Sequence, residues 1–373
     1  MALHFTLGAE EEFQLVDKQT CQLASRVHPL LDRGVPLFGE HIKPEMLQSA
    51  VEIITDVCPN ITALRQNLQH LRNELARLAN MEGLSLISAG THPMAHWKDQ
   101  ARTVHPRYEE IEEEFQDVGR SILIFGLHVH VSIEQHEHAI PLMNQLRTWI
   151  PHMLAISSNS PFWCGRYTGL RSYRVIVWKR FPRSGIPNLF HTTAEFDHYI
   201  EDLVQTGCID NGKRIWWDIR PHPFFPTIEF RMCDMPATID DTMAIAAFCQ
   251  ALVAKLTWML KKNHMTGSFP QHYIEENKWR VARYGMDAEI ADFAHKRTIS
   301  MRDSINETLD FVDDVVDDLG SRREINYLRG LLEDPRGTGA DRQIAVYQET
   351  GSAQAVARFL VKQTASNFTP NTV

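Results

Sequence analysis

Four short segments of the chain alternate apolar and polar residues with a period of two, and in each the polar side carries ionisable groups. That period places every second side chain on the same face of a strand. In the first, Leu3, Phe5, Leu7, Ala9, Phe13 and Leu15 alternate with His4, Thr6, Gly8, Glu10, Glu12 and Gln14. In the second, Val51, Ile53 and Thr55 alternate with Glu52, Ile54 and Asp56. In the third, Leu127, Val129, Val131 and Ile133 alternate with His128, His130 and Ser132; in the fourth, Ile228, Phe230 and Met232 alternate with Thr227, Glu229 and Arg231. Strands with one wet face pair antiparallel, because a parallel sheet covered on both sides shows continuous apolar runs. The expected fold is therefore α+β, a mainly antiparallel sheet with helices on its apolar face and an open polar concavity on the other.

The helices expected to cover that sheet follow from three- and four-residue steps. Leu64, Leu68, Leu71, Leu75 and Leu78 mark one over Asn60–Met81 with Asn60 as its cap. Others are expected around 106–118, 141–157, 241–262 and 304–319, the last carrying a solvated acidic face of Asp310, Asp313, Asp314, Asp317 and Asp318. The stretch Thr242–Leu260 approaches membrane length, but Gln250 and Lys255 interrupt it and Asp240, Asp241, Lys261 and Lys262 flank it, so a buried core helix is expected. No long Gly/Ser or Pro linker and no internal repeat divides the 373 residues, so one catalytic domain, 1–373, is expected, with a C-terminal helical part from about residue 287 packed on it.

The net charge of −9 (38 Lys+Arg against 47 Asp+Glu) argues against general affinity for nucleic acid, which needs cations to displace phosphate counterions. Six scattered cysteines, Cys21, Cys58, Cys164, Cys208, Cys233 and Cys249, show no C-x-x-C pair and suit free thiols in a reducing cytoplasm. The opening Met1–Thr6 lacks a basic then apolar signal, and a cytoplasmic, membrane-free protein is expected.

Glu10 and Glu12 lie about 7 Å apart on one strand face, at a rise of about 3.3 Å per residue, and two anions so close invite a divalent cation. Glu11 falls on the apolar face, where it needs a partner such as arginine. His128 and His130 share a face in the same way. Each motif has a plainer reading: the glutamates as a solvated charge run, a histidine as a core or surface residue, Glu52 and Glu229 as cross-sheet ion pairs. Together, if the strands are neighbours, Glu10, Glu12, Glu52, His128 and Glu229 form an oxygen-rich site that suits Mg²⁺ or Mn²⁺ rather than structural Zn²⁺. Arg231, two residues from Glu229, would stand beside the metals and stabilise a transferring phosphoryl group.

Residues 138–194 contain no Asp or Glu, yet hold Arg147, Arg166, Arg171, Arg174, Lys179, Arg180 and Arg183 among Tyr167, Tyr173, Trp178 and Phe181. Such a stretch could bind single-stranded nucleic acid, or neutralise a polyphosphate and a substrate carboxylate; the net charge favours the second. A smaller basic cluster is Lys278, Arg280 and Arg283. No P-loop and no Rossmann glycine motif is present, so any nucleotide must be held by metal ions and arginines on a sheet.

Leu7-Gly8-Ala9-Glu10-Glu11-Glu12-Phe13-Gln14-Leu15-Val16-Asp17 resembles the opening signature of the type 2 glutamate-cysteine ligase family, the YbdK-like bacterial carboxylate-amine ligases. The resemblance continues in order through Gln48–Glu52, Gly90-Thr91-His92-Pro93, Gly126–Val131, Asn159–Trp163, Trp217–Pro221 and Glu276–Arg280. It implies a glutamine-synthetase-like fold with a curved, mainly antiparallel sheet, and ATP-dependent joining of the γ-carboxylate of glutamate to cysteine or a related amine. It further implies ATP with Mg²⁺ (or Mn²⁺), small-molecule amino-acid substrates and a homodimer. Glu10, Glu12, Glu52, His128 and Glu229 would be the metal ligands, and Arg231 and Glu52 the catalytic residues. Arg280, Arg283, Arg166, Arg180 and Arg220 are the cations expected to hold phosphates or a substrate carboxylate. A metal-dependent hydrolase, or an RNA-binding module resting on the basic aromatic stretch, is the alternative.

Overall fold

The computed structural model describes residues 5–265, 267–366 and 368, so Leu3 and His4 of the first alternating segment lie outside the described residues. Seven strands form the central sheet: β1 (Leu7–Asp17), β2 (Ile42–Pro44), β3 (Ala50–Ile54), β4 (Leu84–Ile87), β5 (Gly126–Ser132), β6 (Ile219–Pro221) and β7 (Thr227–Asp234). Their order is β6-β7-β5-β1-β3-β2, with β4 beside the far end of β1, and every pairing is antiparallel. Each of the four alternating segments becomes one of these strands. The strands β2, β4 and β6, of three or four residues, are too short to show a period and are visible only once paired.

The apolar side of the alternation is the buried side. Leu7, Ala9, Val129, Val131, Ile228 and Phe230 lie in one core, while Phe13, Leu15, Val51 and Ile53 lie in the neighbouring one. Two helices cover much of this face. Helix Ile61–Met81 starts where Asn60 accepts a hydrogen bond from the Ala63 amide (2.9 Å), and it buries Leu64, Leu68, Leu71, Leu75 and Leu78. Each such leucine contributes about 2 kcal/mol through the apolar surface it removes from water. Helix Ile239–Lys261, capped by Thr238, is long and apolar enough to cross a membrane but is packed inside this core, as expected of a central helix.

A buried ionic contact lies between sheet and helices. Glu11, the carboxylate on the apolar face, accepts from Arg72 Nε (2.7 Å), from the Arg72 Nη2 and from Thr242 Oγ1 (2.8 Å), all fully buried. The pair ties the strand carrying Glu10 and Glu12 to both covering helices, which fixes the strand's depth.

Three expected helices are broken into shorter ones. Segment 106–118 is helix Pro106–Phe115 followed by Asp117–Arg120, separated at Gln116 (φ 48°). Segment 141–157 is two helices, Ala139–Leu146 and Ile150–Ser157; Pro151 lacks an N–H and occupies the first turn of the second. Segment 304–319 is Met301–Phe311 followed by Asp313–Val316. Its acidic face is not merely solvated: Asp310 pairs with Arg329, Asp313 and Asp317 with Arg322, and Asp314 with Lys255. Met301, Ile305, Leu309, Ile325 and Leu328 of the C-terminal helices belong to the same core as Val129 and Phe230. All six cysteines are free.

Candidate active site

The polar face of the sheet opens into a cavity of about 410 Å³. Strand register decides what meets there. On β1 and β3, Glu12 stands opposite Glu52; on β1 and β5, Glu10 stands opposite His128. On β5 and β7, Glu229 stands opposite His130, and on β6 and β7 it stands opposite Arg220. The five expected ligands do converge, and two further donors join them. Three trios each bring one donor atom per residue within 4.8 Å of the others: Glu10, Glu52 and His128; Glu10, His130 and Glu229; and Glu12, Glu45 and Glu52. Glu10 and Glu52 are shared, so the trios form one continuous row.

His130 belongs to the His-x-His element, but the period shows only that it shares a face with His128, not that it faces Glu229. Glu45 follows the three-residue strand β2 outside any alternation, so no periodic signal marks it. Arg174 was one of several arginines in the acid-free stretch. It now lines the cavity, with its guanidinium passing against Gly126, where a Cβ would lie 2.2 Å from Nη2. Glycine is required at 126 for that approach, and its amide also donates to Glu12 Oε2 at 2.5 Å.

The electrostatics divide the row. Burial pushes the Glu12 carboxyl up to about 8, with Glu45 adding repulsion that Arg174 and the Gly126 amide only partly offset. Glu52 is also held well above the usual range, first by burial and then by Glu10, Glu45 and Glu12. At the other end, burial raises Glu229 but the Arg231 and Arg220 guanidinium groups outweigh it and hold it below the usual range. Burial also raises Glu10, yet hydrogen bonds from His128 (Nδ1, 2.8 Å) and the nearby His130 leave it well below. Burial and Arg231 lower His128 to about 4, so it is a neutral imidazole near pH 7.

Carboxylates this close, with two of them resisting ionisation, are what a divalent cation relieves; the Nε2 of His130, 3.3 Å from Glu10 Oε1, is a further candidate donor. The donor set therefore fits a hard cation such as Mg²⁺ or Mn²⁺. A measurable consequence follows from proton competition. Near pH 6 Glu12 holds a proton that a cation must displace, and above about pH 8 it does not. Mg²⁺ is expected to raise the melting temperature more at pH 8.5 than at pH 6, and an equal rise at both would contradict this assignment.

Of the expected cations, Arg231 and Arg220 are at the site, both paired to Glu229: Arg220 through Nε at 2.7 Å, Arg231 through Nη1. Four others stand elsewhere. Arg280 pairs with Glu276 and donates to the Glu289 carbonyl. Arg283 donates to the Gly169 carbonyl and lies over Tyr284. Arg166 is exposed on the short strand Arg166–Tyr167, and Arg180 donates to Ser121 Oγ beside the Trp163 ring. None of these four lines the cavity. Arg180, Arg280 and Arg283 turn to nearer oxygens, which sequence spacing does not reveal. Three cations of the acid-free stretch pair with acids from outside it, Arg171 with Asp341, Lys179 with Glu275 and Arg183 with Glu114.

The fold is shared with solved ligases. A bifunctional glutathione synthetase from Pasteurella multocida superposes with TM-score 0.72 at 16% identity, over 99% of this chain and 53% of that one. A glutamate–cysteine ligase from Francisella tularensis, solved in complex with AMP, superposes with TM-score 0.69 at 14% identity, over 98% and 89%. Two curated relatives carry glutamate–cysteine ligase 2 as a provisional name. That of Solibacter usitatus is 48% identical over 360 residues (96% of this chain, 93% of the relative), and that of Sorangium cellulosum is 48% identical over 361 residues (96% of each). Fold, site and relatives together define the class, an enzyme that forms carbon–nitrogen bonds by joining a carboxylate to an amine. The model of glutamate-cysteine ligase family 2 matches residues 6–359, and the chain belongs to that family.

Proposed function

We propose that the protein joins the γ-carboxylate of glutamate to the amine of cysteine or a related amine at the expense of ATP, through an acyl phosphate, releasing ADP and phosphate. The observation that carries this reading is the row of three donor trios ending at Arg231 on the polar face of the sheet. A carboxylate resists amine attack because it is anionic and has no good leaving group. Transfer of the γ-phosphoryl group to a carboxylate oxygen breaks the bond to ADP; the amine nitrogen then attacks the acyl carbon, and phosphate leaves.

Magnesium or manganese bound by Glu10, Glu12, Glu45, Glu52, His128, His130 and Glu229 would neutralise the phosphates. Glu52 serves two trios at once and so keeps them in register. The charge of Arg231, which burial works against and Glu229 and Glu10 reinforce, supplies a fixed cation where phosphoryl charge develops. Arg220 donates to Glu229 and to the Ile215 carbonyl (2.6 Å), and so orients the carboxylate that in turn orients Arg231.

The test is to incubate the purified protein with ATP, Mg²⁺ and pools of amino acids and to follow ADP and the joined product by mass. ADP is expected only when a carboxylate and an amine substrate are both present, in equal amount to product. Product release without ADP would overturn the ligase reading in favour of a hydrolase.

A further inference from the structure

The turn between β6 and β7 reads His222-Pro223-Phe224-Phe225-Pro226, and both phenyl rings are 61% exposed while lining the mouth of the cavity. Two adjacent phenylalanines left in water at a site entrance call for a reason, because exposed apolar surface of this kind marks contact with a ligand or partner. The turn is also rigid. Pro223 and Pro226 restrict it, and His222 Nδ1 accepts from the amides of Phe224 (3.2 Å) and Phe225 (3.0 Å). The His222 ring stacks on Phe225 with centroids 4.5 Å apart and planes 13° from parallel. On its other side it meets His130 edge-on at 5.5 Å, and His130 belongs to the trio with Glu10 and Glu229. A file of rings thus leads from the cation-binding row to the cavity mouth. Lys213 Nζ sits 4.9 Å from the centre of the Phe224 ring, adding a cation at the point where the file reaches solvent.

We propose that Phe224 and Phe225 are the platform on which the base of a nucleoside polyphosphate stacks, with its terminal phosphates at the trio of Glu10, His130 and Glu229. This rests on the ligase reading and specifies where its nucleotide lies. A phosphate chain anchored at the trio must run its ribose and base outward, and the aromatic surface at the cavity mouth is this pair, Phe225 stacked on His222 at 13° and Phe224 turned 67° to that histidine, so that a base stacks on the open face of one ring while the other flanks it. Holding the rings in place beforehand removes the ordering cost that mobile side chains would impose on binding.

The test compares MgADP with magnesium pyrophosphate, which has the phosphates but no base, by titration calorimetry. The proteins are the wild type, the double variant Phe224→Leu with Phe225→Leu, and the aromatic-preserving double variant Phe224→Tyr with Phe225→Trp. Both side chains lie outside the buried core, and circular dichroism melts check that all three proteins fold alike. The leucine variant is expected to bind MgADP about tenfold or more weakly, a loss of the size that base–aromatic stacking provides, with pyrophosphate affinity unchanged. The Tyr/Trp variant is expected to retain MgADP affinity. Wild-type MgADP binding that the leucines leave unaltered, or an equal loss for pyrophosphate, would overturn the platform alone. A wild type that binds neither probe and forms no ADP would overturn the ligase reading and the platform with it.

Discussion

Glu12→Gln is expected to lower ADP formation by about 10² to 10³-fold while making the metal-free protein more resistant to heat at alkaline pH. Glutamine has the same shape and can still accept from the Gly126 amide, so the backbone around it need not move. It removes the negative charge shared with Glu45 and Glu52, on which the third trio depends. The stability effect has a definite sign. A carboxyl whose acidity in the fold is pushed from 4.5 to about 8 favours the folded state in its protonated form. Wild-type stability is therefore lost as pH rises from about 4.5 through about 8, and the variant escapes that loss. Thermal melts without metal should show the variant above wild type at pH 8.5 and level with it near pH 5, and its response to Mg²⁺ should be weaker. Full activity in this variant would remove Glu12 from the site.

Arg72→Met is expected to be the most damaging single change to stability, about 3–5 kcal/mol, because it strands the Glu11 carboxylate without its cation beneath the sheet. Both side chains are at most 1% exposed, and among the described residues only the Thr242 hydroxyl, beyond Arg72, bonds the Glu11 carboxylate. Combining Glu11→Leu with Arg72→Met should recover most of the loss, since apolar packing replaces a buried ion pair at little cost. Melting temperatures of the three variants decide the matter: a single variant within about 1 kcal/mol of wild type would mean that the pair does not hold β1 in place.

The parts of the fold legible beforehand were those governed by local geometry. The alternation at Leu7–Leu15, Leu127–Ile133 and Thr227–Met232 became β1, β5 and β7, with the predicted face buried in each. The need of Glu11 for an arginine was also legible, from the cost of burying a charge, although nothing in the spacing pointed to Arg72, 61 residues away. The helix over residues 61–81 was legible from its leucine steps and asparagine cap. The helix break at Gln116 was not, since no proline or glycine marks the positive φ adopted there, whereas the break before Ile150 has a local mark in Pro151.

For the site, sequence alone determined that Glu10 and Glu12 share a face, as do His128 and His130, and Glu229 and Arg231, because a strand repeats every two residues wherever it lies. Which carboxylate meets which imidazole was decided only by tertiary structure. Antiparallel register set Glu229 against His130 and Glu12 against Glu52, and a segment with no periodicity delivered Glu45. Folding also chose among the arginines, keeping Arg174, Arg220 and Arg231 at the cavity while Arg280 and Arg283 turned to oxygens closer to their own helix. The physical reason is the range of the interactions: the direction of a strand side chain is set by its own backbone, whereas the partner of a long charged side chain is the nearest complementary group in space, and only the assembled fold specifies that distance.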